Sequence, residues 1–179
     1  AVYLAILLIA GRKNPLTFLS DSKEVVLLAL STSSSAAVMP LTLSTTEEKL
    51  GVRTGVSRFV IPLGTTINMG GTALYQGVAT LFLAQVFEVE IGLSGMVLVI
   101  VMATGASIGS PGTPGVGIVI LATILESVGI PAAGIALIIG VDRIIDMCRT
   151  SVNVIGDMVA SVILDRLMPD PDQAVEYSP

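Results

Sequence analysis

A chain of 179 residues that is 53% hydrophobic and 13% charged carries about half the charge of a soluble domain of that length, which excludes an ordinary water-soluble fold. The net charge of −5 argues against nucleic acid or an anionic membrane surface as partner. A single Cys, Cys148, excludes an internal disulfide; no catalytic triad, metal-ligand or phosphate-loop constellation is present, and the lack of His makes an enzyme still less expected.

The fold class expected is an all-α membrane protein, because only helices and closed barrels satisfy their backbone in lipid. Barrel strands would alternate apolar and polar residues, and runs such as 96–103 and 116–125 do not. The chain opens inside an apolar run, AVYLAILLIAG, with no Met, basic leader or cleavage site. Residues 1–10 therefore read as the end of a preceding transmembrane helix, and the chain as a fragment.

Gly11, Arg12, Lys13 and Asn14 form a polar break, and Pro15 suits the first turn of a helix over 15–30. That helix ends at Ser31, Thr32, Ser33, Ser34 and Ser35, whose hydroxyls compete for backbone hydrogen bonds. A second short segment, 36–43, leads back to Glu47, Glu48 and Lys49, so 11–50 reads as a re-entrant hairpin. Residues 51–90 read as a transmembrane helix broken at 64–72, where three Gly, three Thr and an Asn in nine positions make a poor helix with free carbonyls.

After Glu88 and Glu90 comes a second hairpin, 91–130, with apolar arms 93–103 and 116–125 around a Gly/Pro tip, 105–115. Pro131 opens an amphipathic transmembrane helix, 131–168, and an acidic, Pro-rich tail, 169–179, reads as disordered. Advancing about 100° per residue, Asp142, Asp146, Arg149, Asn153 and Asp157 of that helix fall within a sector of about 80°, a single polar stripe. The opposite residues, such as Ile144, Met147 and Val152, suit lipid or a core.

Hairpin, broken helix, hairpin and polar helix make one unit used twice. Lys and Arg gather at 12–23 and 49–58, whereas 86–92 and 126–131 hold acids and no base. By the positive-inside tendency the first hairpin enters from the cytoplasm and the second from outside, so the repeats are inverted, as in secondary transporters with a midplane site.

The serine-rich tip 31–35, the run NMGGTALYQ at 68–76, the Gly/Pro tip at 107–117 and DRIIDMCRTSVNVIGD at 142–157 occur in order. Together they resemble the dicarboxylate/amino acid:cation symporters, the glutamate and aspartate transporters, over almost the whole chain. The resemblance is to the C-terminal, substrate-carrying half. It implies a multi-pass protein of the cell membrane whose partners are an acidic amino acid, the lipid bilayer and an N-terminal scaffold half that makes a homotrimer.

It implies that Ser33, Ser34 and Ser35 and Gly112, Thr113 and Pro114 close on the substrate from two sides. Asp146 would hold the ammonium, Arg149 the side-chain carboxylate, and Thr150, Asn153 and Thr72 the remaining polar groups. One sodium would sit among Gly64, Asn68, Asn153 and Asp157, and a second near Thr66, Met69, Ser107, Ile108 and Ser110. No cofactor is implied beyond sodium as coupling ion, with protons as the alternative. The family usually has Asp where this chain has Gly70, and that Asp helps build a third sodium site; Thr32 replaces an Arg found in some members.

The residues support this chemistry by themselves. Arg149 offers a charged fork to a carboxylate, and Asp146 an acceptor to an ammonium, although their spacing also permits a plain intrahelical salt bridge. Three acids and one base on the stripe sum to −2, and a bound aspartate or glutamate would make −3, a charge that demands cations. Taken singly, the serine tip reads as a cap or linker, the Gly/Pro tip as a loop, Asp157 as a helix-end charge near water, Met69 as core and Cys148 as a small packing residue. The other functions open to these residues are a non-transporting membrane binding or scaffold protein, and a C4-dicarboxylate symporter in which Asp146 would meet no ammonium.

Overall fold

The computed structural model describes residues 1–169. The tail expected to be disordered lies, from residue 170 onward, outside the described residues. Among the described residues all regular structure is helical, as composition led one to expect.

Helix α1, Val2–Ile6, runs on through a wider π turn, Leu7–Gly11, and stops at Arg12. Helix α2, Pro15–Thr32, starts where the Asn14 side chain accepts from the Leu16 amide at 2.9 Å, with Pro15 at the first helical position. It extends beyond residue 30 because the Ser31 and Thr32 hydroxyls donate back to the Leu27 and Leu28 carbonyls, each at 2.8 Å, and so bond within the helix instead of ending it. Ser33 stops it, in the left-handed region at φ 52°, and Ser34 caps α3, Ser35–Glu48, by accepting from the Ala37 amide at 3.2 Å. Helix α3 therefore runs past the 36–43 segment expected.

Helices α4, Thr54–Ile67, and α5, Gly70–Val86, are separated only by Asn68 and Met69, whose backbones leave helical angles, so the break expected over 64–72 is two residues wide and its Gly and Thr positions stay helical. Helices α6, Leu93–Ser107, and α7, Val116–Ser127, flank the Gly/Pro segment, in which Gly109 and Gly115 take positive φ. Pro131 opens a 3-10 turn, Ala132–Gly134, rather than the long helix itself, and α8 follows over Ile135–Leu167.

Helix α8 is the common partner of α1 to α5 and of α7, whereas α6 packs on α5 and α7. Toward its start, Ile138 joins Tyr75, Leu83, Leu121 and Leu125 in one apolar cluster. Toward its end, Val154, Met158, Val159 and Val162 join Phe18, Val25, Val38, Val60 and Ile61 in another. The polar stripe lies between and beside these clusters.

No helix among the described residues is both long and apolar enough to cross a membrane by itself. The reason is specific: α8 has 33 residues but carries its charges along its length, and the apolar passage of α4 and α5 is cut in two. Apolar side chains nonetheless face outward from several helices, among them Leu74, Val78, Leu93, Ile100, Val119 and Ile144.

Arg53 fastens the far end of α8. Its amide and Nε donate to Asp165 Oδ1 at 3.2 and 2.7 Å, Nη2 donates to the Asp165 and Met168 carbonyls at 2.5 and 3.1 Å, and Nη1 to the Pro169 carbonyl at 3.2 Å. These are carbonyls that a helix end leaves without intrahelical partners. Arg53→Ala is expected to lower stability by about 1–3 kcal/mol, read as a lower midpoint of thermal unfolding in detergent.

Candidate functional site

The 3.6-residue period of α8 turns the whole polar stripe inward. Asp146 and Asp157 are 3% and 1% exposed, Asp142, Arg149 and Asn153 are also buried, and Ile144 across the helix is 64% exposed. Asp157 is thus no helix-end charge near water, because its carboxylate points into the break between α4 and α5. Cys148, by contrast, is exposed instead of packed, since it falls on the outward side.

Each buried charge meets a particular partner. Tyr75 Oη donates to Asp142 Oδ1 at 2.8 Å. Arg149 Nη2 donates to Asp146 Oδ1 at 2.5 Å, and the Gly115 amide donates to Asp146 Oδ2 at 3.2 Å. The intrahelical salt bridge permitted by spacing is therefore formed, and the same carboxylate also holds the Gly/Pro segment. The Arg149 guanidinium lies 5.1 Å from the centre of the Tyr75 ring, within cation–π range. Arg149 Nη1 remains buried without a hydrogen-bond partner.

The break between α4 and α5 supplies the other wall. Its broken hydrogen bonding exposes carbonyls at the end of α4 and N–H groups at the start of α5. The Gly71 amide donates to Asn153 Oδ1 at 2.8 Å, and Asn153 Nδ2 donates to Thr72 Oγ1 at 3.2 Å, so the Asn153 side chain is engaged at the α5 start. Asn68 Nδ2 donates to Asp157 Oδ1 at 2.9 Å, and Asp157 Oδ2 is buried with no partner. Gly64 must lack a side chain, since a Cβ there would collide with the Asp157 carboxylate.

The two loop tips meet above this wall. Ser34 Oγ and the Ala36 amide both donate to the Gly112 carbonyl, at 2.8 and 3.4 Å. Beneath them is a cavity of about 20 Å³. Of the expected substrate residues, Ser33, Ser35, Thr72, Gly112, Thr113, Asp146, Arg149, Thr150 and Asn153 line it. Ser34, turned to Gly112, and the exposed Pro114 do not. Ser33 Oγ, like Arg149 Nη1, has no partner.

The expected cation residues fall into two groups. Gly64, Asn68 and Asp157 are together as described, with Asn153 one turn from Asp157. In the second group the Gly109 amide donates to the Thr66 carbonyl at 2.7 Å, and Ser110 Oγ donates to Met69 Sδ at 3.1 Å, which joins the break to the Gly/Pro segment. Ser107 is buried, whereas Ile108 is 54% exposed.

Sequence reasoning missed Tyr75, Gln76 and Gly117. Gln76 is fully buried, and its Nε2 donates to the Gly117 carbonyl at 2.8 Å. An amide in the middle of an apolar helix was itself a signal, because such a group requires a partner. Gly117 carried none, since only the approach of Arg149 gives it a role.

A family model described as the sodium:dicarboxylate symporter family matches residues 1–167. The chain belongs to this family. It is 44% identical over 156 residues to human excitatory amino acid transporter 1, covering 87% of the chain and 29% of that protein. Human excitatory amino acid transporter 3 is 43% identical over 159 residues, 89% of the chain and 30% of the relative. Mouse excitatory amino acid transporter 4 is 41% identical over 155 residues, 87% and 28%. The chain thus spans about three tenths of the length of these relatives. They are transporters, not enzymes.

In this symporter-family chain the position of Arg149 depends on Gly117, where a Cβ would overlap the guanidinium. Gly117→Ala is expected to destabilise the protein by about 1–3 kcal/mol through overpacking. Gly105→Ala, with open space around it, serves as the control, and its unfolding midpoint should not fall.

Proposed function

We propose that this chain is the substrate- and cation-carrying part of a multi-pass membrane symporter that moves aspartate or glutamate together with sodium. The observation that carries the reading is the cavity beneath the touching tips, lined by Asp146 and Arg149, into which a zwitterion with an extra carboxylate fits by charge. Arg149 Nη1 and Ser33 Oγ are donors without partners at that cavity. A side-chain carboxylate of the substrate would take the Arg149 fork, and its ammonium would take Asp146, exchanging the internal ion pair for two external ones.

The cavity of about 20 Å³ has room for about one water, so an amino acid enters only when the tips part. Parting breaks the bonds of Ser34 and Ala36 to Gly112, and the Gly115 bond to Asp146 ties that motion to the substrate's ammonium site. Gly112, Thr113 and Pro114 thus act as the gate. The relatives' name, excitatory amino acid transporter, supports the substrate class.

Sodium as co-transported substrate fits the second feature of the site. Asp157 Oδ2 is a buried oxygen without a partner, beside the carbonyl-rich end of α4, and hard oxygen donors suit an alkali cation. Gly64, Asn68, Asn153 and Asp157 would hold one ion and Thr66, Met69, Ser107, Ile108 and Ser110 a second. The tips at 31–35 and 105–115 are read as ends of re-entrant hairpins in an inverted repeat, with 51–90 and 131–168 spanning the bilayer jointly with neighbours. The outward apolar side chains support that setting. Asp146 disfavours C4-dicarboxylates, and succinate competing as well as aspartate would reverse the choice.

In proteoliposomes, aspartate uptake by the full chain is expected to require a sodium gradient, and Arg149→Ala to lose about 100-fold in apparent aspartate affinity. Binding without any flux would favour a non-transporting binding protein instead. Gly70 removes one carboxylate relative to the family pattern, so fewer cations should accompany each aspartate. Reversal-potential measurements giving the family's full complement, third sodium included, would contradict this.

A further inference from the structure

The Asn68 and Asp157 pair has a third member, on α1. The Tyr3 hydroxyl lies 3.5 Å from Asn68 Oδ1. The end of its ring occupies a slot between α5 and α8 made by two missing side chains. A Cβ at Gly70 would overlap the Tyr3 hydroxyl, and one at Gly156 would come within 2.9 Å of the same oxygen and of its ring carbon.

The chemistry of the three groups sets the direction of every bond. Asn68 turns its NH₂ toward Asp157, with Nδ2 at 2.9 Å from Oδ1. The Asn68 carbonyl oxygen then faces the other way, toward Tyr3, and as an acceptor it takes the hydroxyl hydrogen. The donors run from Tyr3 to Asn68 to Asp157. At the end of this series Oδ1 is held, while Oδ2 has no partner although Asp157 is 1% exposed.

We propose that Tyr3 is a positioning residue of the sodium site, whose hydroxyl locks the Asn68 amide so that Asp157 keeps one oxygen anchored and turns the other to the ion. The proposal rests on the reading of Asp157 as a sodium ligand. Tyr3 is not among the residues lining the cavity that holds Asp146 and Arg149, so its effect is placed on Asn68 and Asp157 and not on the substrate pocket. Without the hydroxyl the Asn68 amide keeps only its bond to Asp157, and the carboxylate it holds is less firmly oriented. The penalty falls on cation binding alone.

The test is a sodium titration of the purified full chain, in sodium and in choline chloride, followed by calorimetry and thermal unfolding. Tyr3→Phe keeps the ring in its slot and removes only the donor. It is expected to weaken sodium binding about three- to tenfold, with the unfolding midpoint in choline and the aspartate affinity at saturating sodium unchanged. Wild-type sodium affinity in Tyr3→Phe would overturn the proposal, as would an equal loss of stability in both salts, which marks simple packing. Gly70→Ala is the second variant, because its Cβ would meet only Tyr3 and push the hydroxyl off Asn68. It should shift sodium affinity in the same direction, and an unshifted value would count against the proposal even if Tyr3→Phe failed to fold. Asp157→Asn separates the two claims. If it leaves sodium binding intact, the cation site itself is wrong; if it abolishes sodium binding while Tyr3→Phe has no effect, only the role of Tyr3 falls.

Discussion

Three carboxylates and a guanidinium on one face of α8 are shut away from water, and the rest of the structure answers to that constraint. An unpartnered charge in such surroundings costs several kcal/mol, so each group needs a neighbour of suitable chemistry. Tyr75 answers Asp142, Arg149 answers Asp146, and Asn68 answers Asp157. Tyr75, Asn68 and the Gly115 amide that also holds Asp146 come from outside α8, and bringing them together dictates how α5, the α4–α5 break and the Gly/Pro segment approach it. What is left over, one nitrogen of Arg149 and one oxygen of Asp157, is the chemistry available to ligands.

The interruption at Asn68 and Met69 is the second requirement. A continuous helix there would keep its backbone groups to itself and offer the stripe only side chains. Broken, it presents an amide at Gly71 to Asn153 and leaves carbonyl oxygens near Asp157. One helix defect thereby makes an anchoring point on one side and a cation-friendly surface on the other. The proposed coupling of sodium to substrate follows from this closeness: Asn153 and Asp157 are one turn apart on α8, and Asn68 and Thr72 one turn apart across the break.

The tips convert a binding surface into an enclosed one. Ser33 accepts a left-handed backbone angle so that Ser34 can both cap α3 and reach Gly112. Gly115 in turn hangs from Asp146, so the carboxylate read as the ammonium partner is also a latch on the segment that must move. Under the proposed function, occupancy and closure would be linked through this single side chain.

Sequence by itself determined the helical class, the stripe on α8, that a break falls within 64–72 though not that it is only two residues wide, and where both tips lie, because each is a local property: period, Gly and Thr content, or a run of Ser. Its element ends were off where a local rule had two outcomes, as with Ser31 and Thr32, whose hydroxyls bonded inside α2 instead of ending it. Tertiary structure alone decided that Ser34 faces Gly112 and not the cavity, that Tyr75 meets Asp142, and that Gln76 reaches the Gly117 carbonyl. These are contacts between segments up to 89 residues apart, as for Asn68 and Asp157. No periodicity encodes them: they exist because close packing around buried charges leaves one arrangement in which the hydrogen-bond donors and acceptors match.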